Sequence, residues 1–133
     1  MNEKSLVFEN RDATADIFYE EESFARNELF SKRMSLEAYL VRLDKIQALG
    51  KSAENGNKED ITSLENAFTY YSHAYERLCE VASSLSDESI DQRLQELKGK
   101  LEHLIAKARD IGNSDLADKL RDRLSRIQAG NPT

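Results

Sequence analysis

The sequence predicts an all-α bundle, and three observations carry that prediction. Charged residues make up 33% of the chain and hydrophobic ones 39%, with five glycines and one proline. That mix is rich in helix formers and poor in the punctuation that many strands require. From Ile61 to Ile111, apolar residues recur at alternating spacings of three and four, the period of a helix buried along one side. A single short polar stretch, SSLSDES, separates the two regular runs and suits a tight connection. The 133 residues fit one domain with one core. The expected layout is a flexible segment over 1–11, a helical domain over 12–130 and a tail over 131–133. The domain is read as four or five helices built around a long antiparallel hairpin, about 60–85 and 87–111. Stripes this regular also pair between chains, so a homodimer is the expected assembly.

Residues 12–34 read as a helix without a clean stripe, because Ile17, Phe18, Phe24, Ala25, Leu29 and Phe30 spread around the wheel with Glu20, Glu21 and Glu22 between them. The three glutamates fan out on consecutive positions and are read as a solvated acidic face. Leu36, Tyr39, Leu40, Leu43 and Ile46 mark a second helix, with Ser35 as its cap and Gly50 as its end. Phe18, Ala25, Leu29, Leu36, Leu40 and Leu43 can equally be drawn as one continuous stripe, so the pattern leaves one helix or two open across 12–49.

After the polar loop GKSAENGNKED, the residues Ile61, Leu64, Phe68, Tyr71, Tyr75, Leu78, Ala82 and Leu85 define a long amphipathic helix. Asn57 or Asp60 supplies the oxygen that caps its first amides. Ile90, Leu94, Leu97, Leu101, Leu104, Ala108 and Ile111 define the helix that folds back on it, stopped by Gly112. Asn113 and Ser114 then cap a short terminal helix with Leu116, Ala117, Leu120, Leu124 and Ile127 on one side, ended by Gly130 and Pro132.

The charge narrows the function classes. Net charge is −6. Residues 1–90 hold 10 Lys/Arg against 18 Asp/Glu, and residues 91–133 hold 9 against 7. An acidic first part argues against non-specific nucleic-acid binding by the whole molecule, which needs clustered positive charge. The opening MNEKSLVFEN has no apolar core of a leader, and no run reaches the roughly 20 apolar residues of a membrane span. One cysteine, Cys79, suits a reducing compartment. The expected location is cytoplasmic.

No residue pattern announces catalysis or a cofactor. Phosphate loops, nucleophile elbows and paired acids that can be placed in one cleft are missing. His73 and Cys79 are six positions apart, on different sides of their helix. That spacing serves neither a nucleophile and base nor two metal ligands. Cys79 is a small hydrophobe at the stripe's border, and Tyr71 and Tyr75 are core aromatics whose hydroxyls reach the edge for a partner. No metal site, no cofactor and no enzyme activity are expected. The reading that remains is a non-catalytic protein-interaction module, an adaptor, small chaperone or regulator that presents helix faces.

Its candidate contact residues are Tyr70, His73 and Arg77, on the side of their helix opposite the stripe, with Phe30 and Met34. Leu6, Val7 and Phe8 are further large side chains that no stripe explains. The competing reading is a nucleic-acid-associated regulator using Lys119, Arg121, Arg123 and Arg126. Asp115, Asp118 and Asp122 interleave with these and weaken their field, and pairing of Asp122 with Arg126 across one turn explains them as well.

Overall fold

The structure is a computed structural model that describes the backbone of residues 3–55 and 61–129, with side chains from Ala15 onward except that of Ile61. It contains α1 (Glu3–Phe30), α2 (Leu36–Glu54), α3 (Ile61–Ala82), α4 (Glu88–Asp110) and α5 (Ser114–Ala129), with no strand among the described residues. Among the described residues the fold is therefore all-α with five helices. The expected capping residues Asn57 and Asp60, and the end signals Gly130 and Pro132, lie outside the described residues.

Two helices, not one, cover the region the stripe left open. α1 closes in a pair of backbone bonds: Arg33 N–H donates to Glu28 C=O at 2.8 Å and Lys32 N–H to Leu29 C=O at 3.0 Å. These are the 6→1 and 5→2 bonds of a Schellman ending, and Lys32 takes the left-handed conformation it requires, with φ 63°. The Arg33 side chain returns to Glu28 through Nε at 3.0 Å and Nη2 at 2.9 Å. Ser35 then caps α2 as its position suggests, its Oγ accepting from Ala38 N–H at 3.2 Å. The same ending recurs after α4, with Gly112 at φ 82°, Asn113 N–H donating to Ala108 C=O and Gly112 N–H to Arg109 C=O. Asn113 passes directly into the next helix, its Oδ1 accepting from Leu116 N–H at 3.0 Å. Asp87 caps α4 through Ser89 N–H at 2.8 Å.

The chain forms two compact units, Met1–Ile46 and Gln47–Thr133, with the division inside α2. In the first, Ala25 and Leu29 of α1 and Tyr39, Leu40, Leu43 and Ile46 of α2 are buried. In the second, α3 packs on α4 and on α5, and α4 packs on α5. Phe68, Tyr71, Leu78, Ile90, Leu97, Leu101, Leu104 and Leu120 are fully buried there. Each such leucine contributes roughly 1.5–3 kcal/mol by leaving water. The hairpin expected between the two regular stripes is thus α3 and α4. Leu85 and Ile111, read as the last members of the stripes, instead lie past the helix ends and are exposed.

Gly50 corrects the sequence reading. It does not end α2, which runs four residues further to Glu54. The absent side chain serves packing: a Cβ at Gly50 would lie 2.7 Å from Cε1 of the fully buried Tyr71 ring. Gly99 also sits inside a helix, α4, with open space around it. Among the described glycines, Gly112, just past α4, is the one that marks a helix end.

Candidate functional site

The acidic triplet of α1 is not one solvated face. Glu22 is fully buried, and its carboxylate accepts a 2.6 Å hydrogen bond from the Tyr39 hydroxyl of α2. Arg26, one turn on, places Nε 3.4 Å from the same carboxylate. A buried carboxylate is tolerable only with such partners, because desolvation of an unpaired charge far exceeds the energy of one hydrogen bond. Glu21, half-buried, pairs with Lys45 of α2 at 2.8 Å, and the Lys45 ammonium also lies 5.7 Å from the Phe18 ring centroid. Of the three, Glu20 alone is exposed as the sequence reading has it.

On each of its two helices the Glu21–Lys45 bridge has apolar neighbours that reach solvent. Ile17 and Phe24 lie four and three positions from Glu21 on α1, and Val41 lies four from Lys45 on α2. Neighbours at those spacings share a helix face. Ile17 is 53% exposed, Phe24 64% and Val41 55%. Phe30, a predicted contact residue, is 42% exposed at the end of α1, and Met34 is half-buried in the turn that follows. Sequence reasoning singled out Phe30 but not Ile17, Phe24 or Val41. Wheel position could have flagged Ile17 and Phe24, which lie far from the Ala25–Leu29 side, but α1 has too broad a scatter of apolar residues to choose its inner face alone.

The other predicted contact residues belong to the second unit. Tyr70, His73 and Arg77 do share one side of α3, but each is half-buried. His73, which the wheel places outward, is only partly exposed. Burial lowers its pKa, Glu76 opposes that shift, and Arg77 together with Arg123 of α5 adds to it. Arg123 reaches this helix as a packing residue, with its guanidinium 5.0 Å from the Phe68 ring centroid and Nη2 donating to Thr69 Oγ1 at 3.2 Å. Lys119 pairs with Glu65 of α3 at 3.2 Å, and Arg126 with Asp122 as the spacing suggested. Arg121 is exposed. Three of the four basic residues of α5 thus have protein partners, two of them tying α5 to α3.

Where α2 ends, Glu54 gathers a polar cluster. It accepts from the Tyr71 hydroxyl at 3.1 Å and from Lys107 of α4 at 2.8 Å, with His103 Nε2 at 3.7 Å. Burial raises the Glu54 pKa, but hydrogen bonds from Lys107 and Tyr71 and the charges of Lys107 and His103 outweigh it, and the net shift is downward. Tyr71 is held far above the ordinary tyrosine value by burial and by the Glu54 charge. An open groove of about 500 Å³ beside this cluster is lined by Glu54, Glu96, Gly99, Lys100 and His103. Of its lining charges, Glu54 is bridged to Lys107, and the Lys100 ammonium lies 5.6 Å from the Tyr71 ring centroid. Burial raises the pKa of Cys79, which adjoins Tyr75, and a thiol held protonated is a poor nucleophile. Among the described residues no cluster of His, Cys, Asp and Glu has the geometry of a metal site. No helix among them is long and apolar enough to cross a membrane.

No protein-family model, no curated protein and no solved structure matches this chain.

Proposed function

We propose that the chain is a non-catalytic protein-interaction module, an adaptor, small chaperone or regulator acting in the cytoplasm, and that it presents the α1–α2 face of its first unit to a protein partner. One observation carries this reading. Ile17, Phe24 and Val41, each more than half exposed, lie around the Glu21–Lys45 bridge, where a monomer gains nothing from large apolar side chains. Exposed apolar groups gathered on one face, with polar residues around them, are the composition of a contact surface.

A photo-reactive benzoylphenylalanine at position 24 tests the reading in living cells. Cross-links to a protein are expected from position 24 and not from position 111, where Ile111 is a single exposed apolar residue past a helix end. No protein cross-link at position 24, at normal expression, would overturn the proposal. The basic residues of α5 are weaker support for a nucleic-acid regulator, because Lys119 and Arg123 are used against α3. The stripes of α3 and α4 close on each other and on α5, so their regularity no longer calls for a second copy.

A further inference from the structure

We infer that the partner of the α1–α2 face is a cationic amphipathic helix, a segment with lysines or arginines beside a stripe of large apolar residues. The inference rests on the interaction reading above and adds the chemistry of the partner. Among the described residues, exposed carboxylates border the apolar side chains, while Asn27, three positions after Phe24, is exposed and neutral, and Lys45, four after Val41, is exposed and bridged to Glu21. Asp16 and Glu20 flank Ile17 and are exposed, and Glu37, four positions before Val41, is exposed as well. Three cations of this unit are engaged within it, Lys45 with Glu21 at 2.8 Å, Arg33 with Glu28 at 2.9 Å, and half-buried Arg42 with the Ala38 carbonyl at 2.9 Å, and Lys32 is exposed in the turn after α1, beyond the Ile17–Phe24 row. A partner that buries Ile17 and Phe24 must therefore bring positive charge to the rim, and an acidic one would be repelled.

The spacing points to a helix. Ile17 and Phe24 are seven positions apart, two turns, so they stand one above the other along α1. A helix lying beside α1 offers side chains at the same repeat, whereas a strand offers a period of two. Two copies of this face would gather the exposed carboxylates Asp16, Glu20 and Glu37 of both chains around one contact, an arrangement that like charges disfavour.

The test uses the full chain and two synthetic helical peptides of about 18 residues, long enough for several turns. Both carry the same leucine stripe, flanked by lysines in one and by glutamates in the other. Binding is read by fluorescence anisotropy, and circular dichroism checks that the surface variants keep the parent's helicity. The lysine peptide is expected to bind the parent chain, with affinity falling as salt rises from about 0.05 to about 0.5 M. Binding should weaken about tenfold or more with I17S/F24S, and similarly with D16K/E20K. The glutamate peptide should not bind the parent and should gain binding to D16K/E20K. Equal binding of the two peptides, or lysine-peptide binding indifferent to both double variants, overturns the inference. So does sedimentation showing a dimer of the parent that I17S/F24S dissolves, which would give the face to a second copy. A protein cross-link at position 24 alongside either peptide failure would sink the cationic helix and leave the interaction reading standing.

Discussion

The ring of Tyr71 fills the space that a side chain at Gly50 would occupy, with Cε1 and Cδ1 2.7 and 2.8 Å from where a Cβ would stand. Tyr71 is fully buried and its hydroxyl is bonded to Glu54, one turn beyond Gly50 on the same helix. The ring is pinned at both ends of this contact and has no easy way to move aside.

Gly50 and Gly99 should therefore answer one substitution with opposite signs. Alanine gains helix propensity at either site, by about 0.5–1 kcal/mol. At Gly99 nothing lies within 4 Å of the new methyl, so G99A should raise stability by about that amount. At Gly50 the methyl overpacks against a fixed ring, at a cost of about 1–3 kcal/mol. G50A should lower stability by about 1 kcal/mol or more after the propensity gain. Urea midpoints of the two variants decide it, and a stabilised G50A would show that the ring yields.

Tyr39→Phe removes the hydroxyl that donates to the buried Glu22 carboxylate at 2.6 Å and leaves the ring in place. The loss should be about 2 kcal/mol, the scale for stranding a buried charged acceptor. Glu22→Gln in the Tyr39→Phe background should recover part of it, because an amide is cheaper to bury than a carboxylate. Equal stability of Y39F and parent would mean that the remaining partners of Glu22, Arg26 among them, satisfy it.

Ser72 carries a buried hydroxyl with no hydrogen-bond partner. Ser72→Ala removes the unsatisfied group and adds helix propensity, so stability should rise by about 1 kcal/mol. A fall in melting temperature would show that the hydroxyl is satisfied in solution.

Stability should decline on acidification in two windows. His73 has a folded pKa below its ordinary 6.5. As pH falls through 6.5, the unfolded chain takes up this proton first, so stability drops until the folded pKa is passed. The groups that set this are burial, Glu76, Arg77 and Arg123. Glu54 has a folded pKa below its ordinary 4.5. Its contribution is fully present above 4.5 and is lost as pH falls through the folded value. In urea midpoints measured from neutral pH downward, H73Q should flatten the first decline and E54Q the second. An unchanged slope just below pH 6.5 in H73Q would place His73 in open solvent.

Local signals were enough for α3, α4 and α5. Their apolar residues repeat with the helical period, and Asp87, Asn113 and Gly112 do their capping through atoms only two to five positions away. Ser35 and the partner of the Tyr71 hydroxyl at the core's edge were legible for the same reason, although which residue supplies that partner was not. Side-chain period and cap chemistry are properties of one helix, and a single strand of text contains them.

What the text could not contain was set by residues far apart in it. The turn after α1 has no glycine or proline, and Lys32 is held in a left-handed conformation that the Arg33–Glu28 clamp and the start of α2 impose. Gly50 reads as a stop, yet the helix continues because the Tyr71 ring needs its bare face. Glu22 reads as one of three solvated acids, yet Tyr39, 17 positions away, makes it a buried acceptor. His73 reads as outward, yet Arg123 of α5 lies near enough to shift its pKa. In each case a wheel gives the direction a side chain leaves its own helix, and only the packing of a second helix decides whether water or protein meets it there.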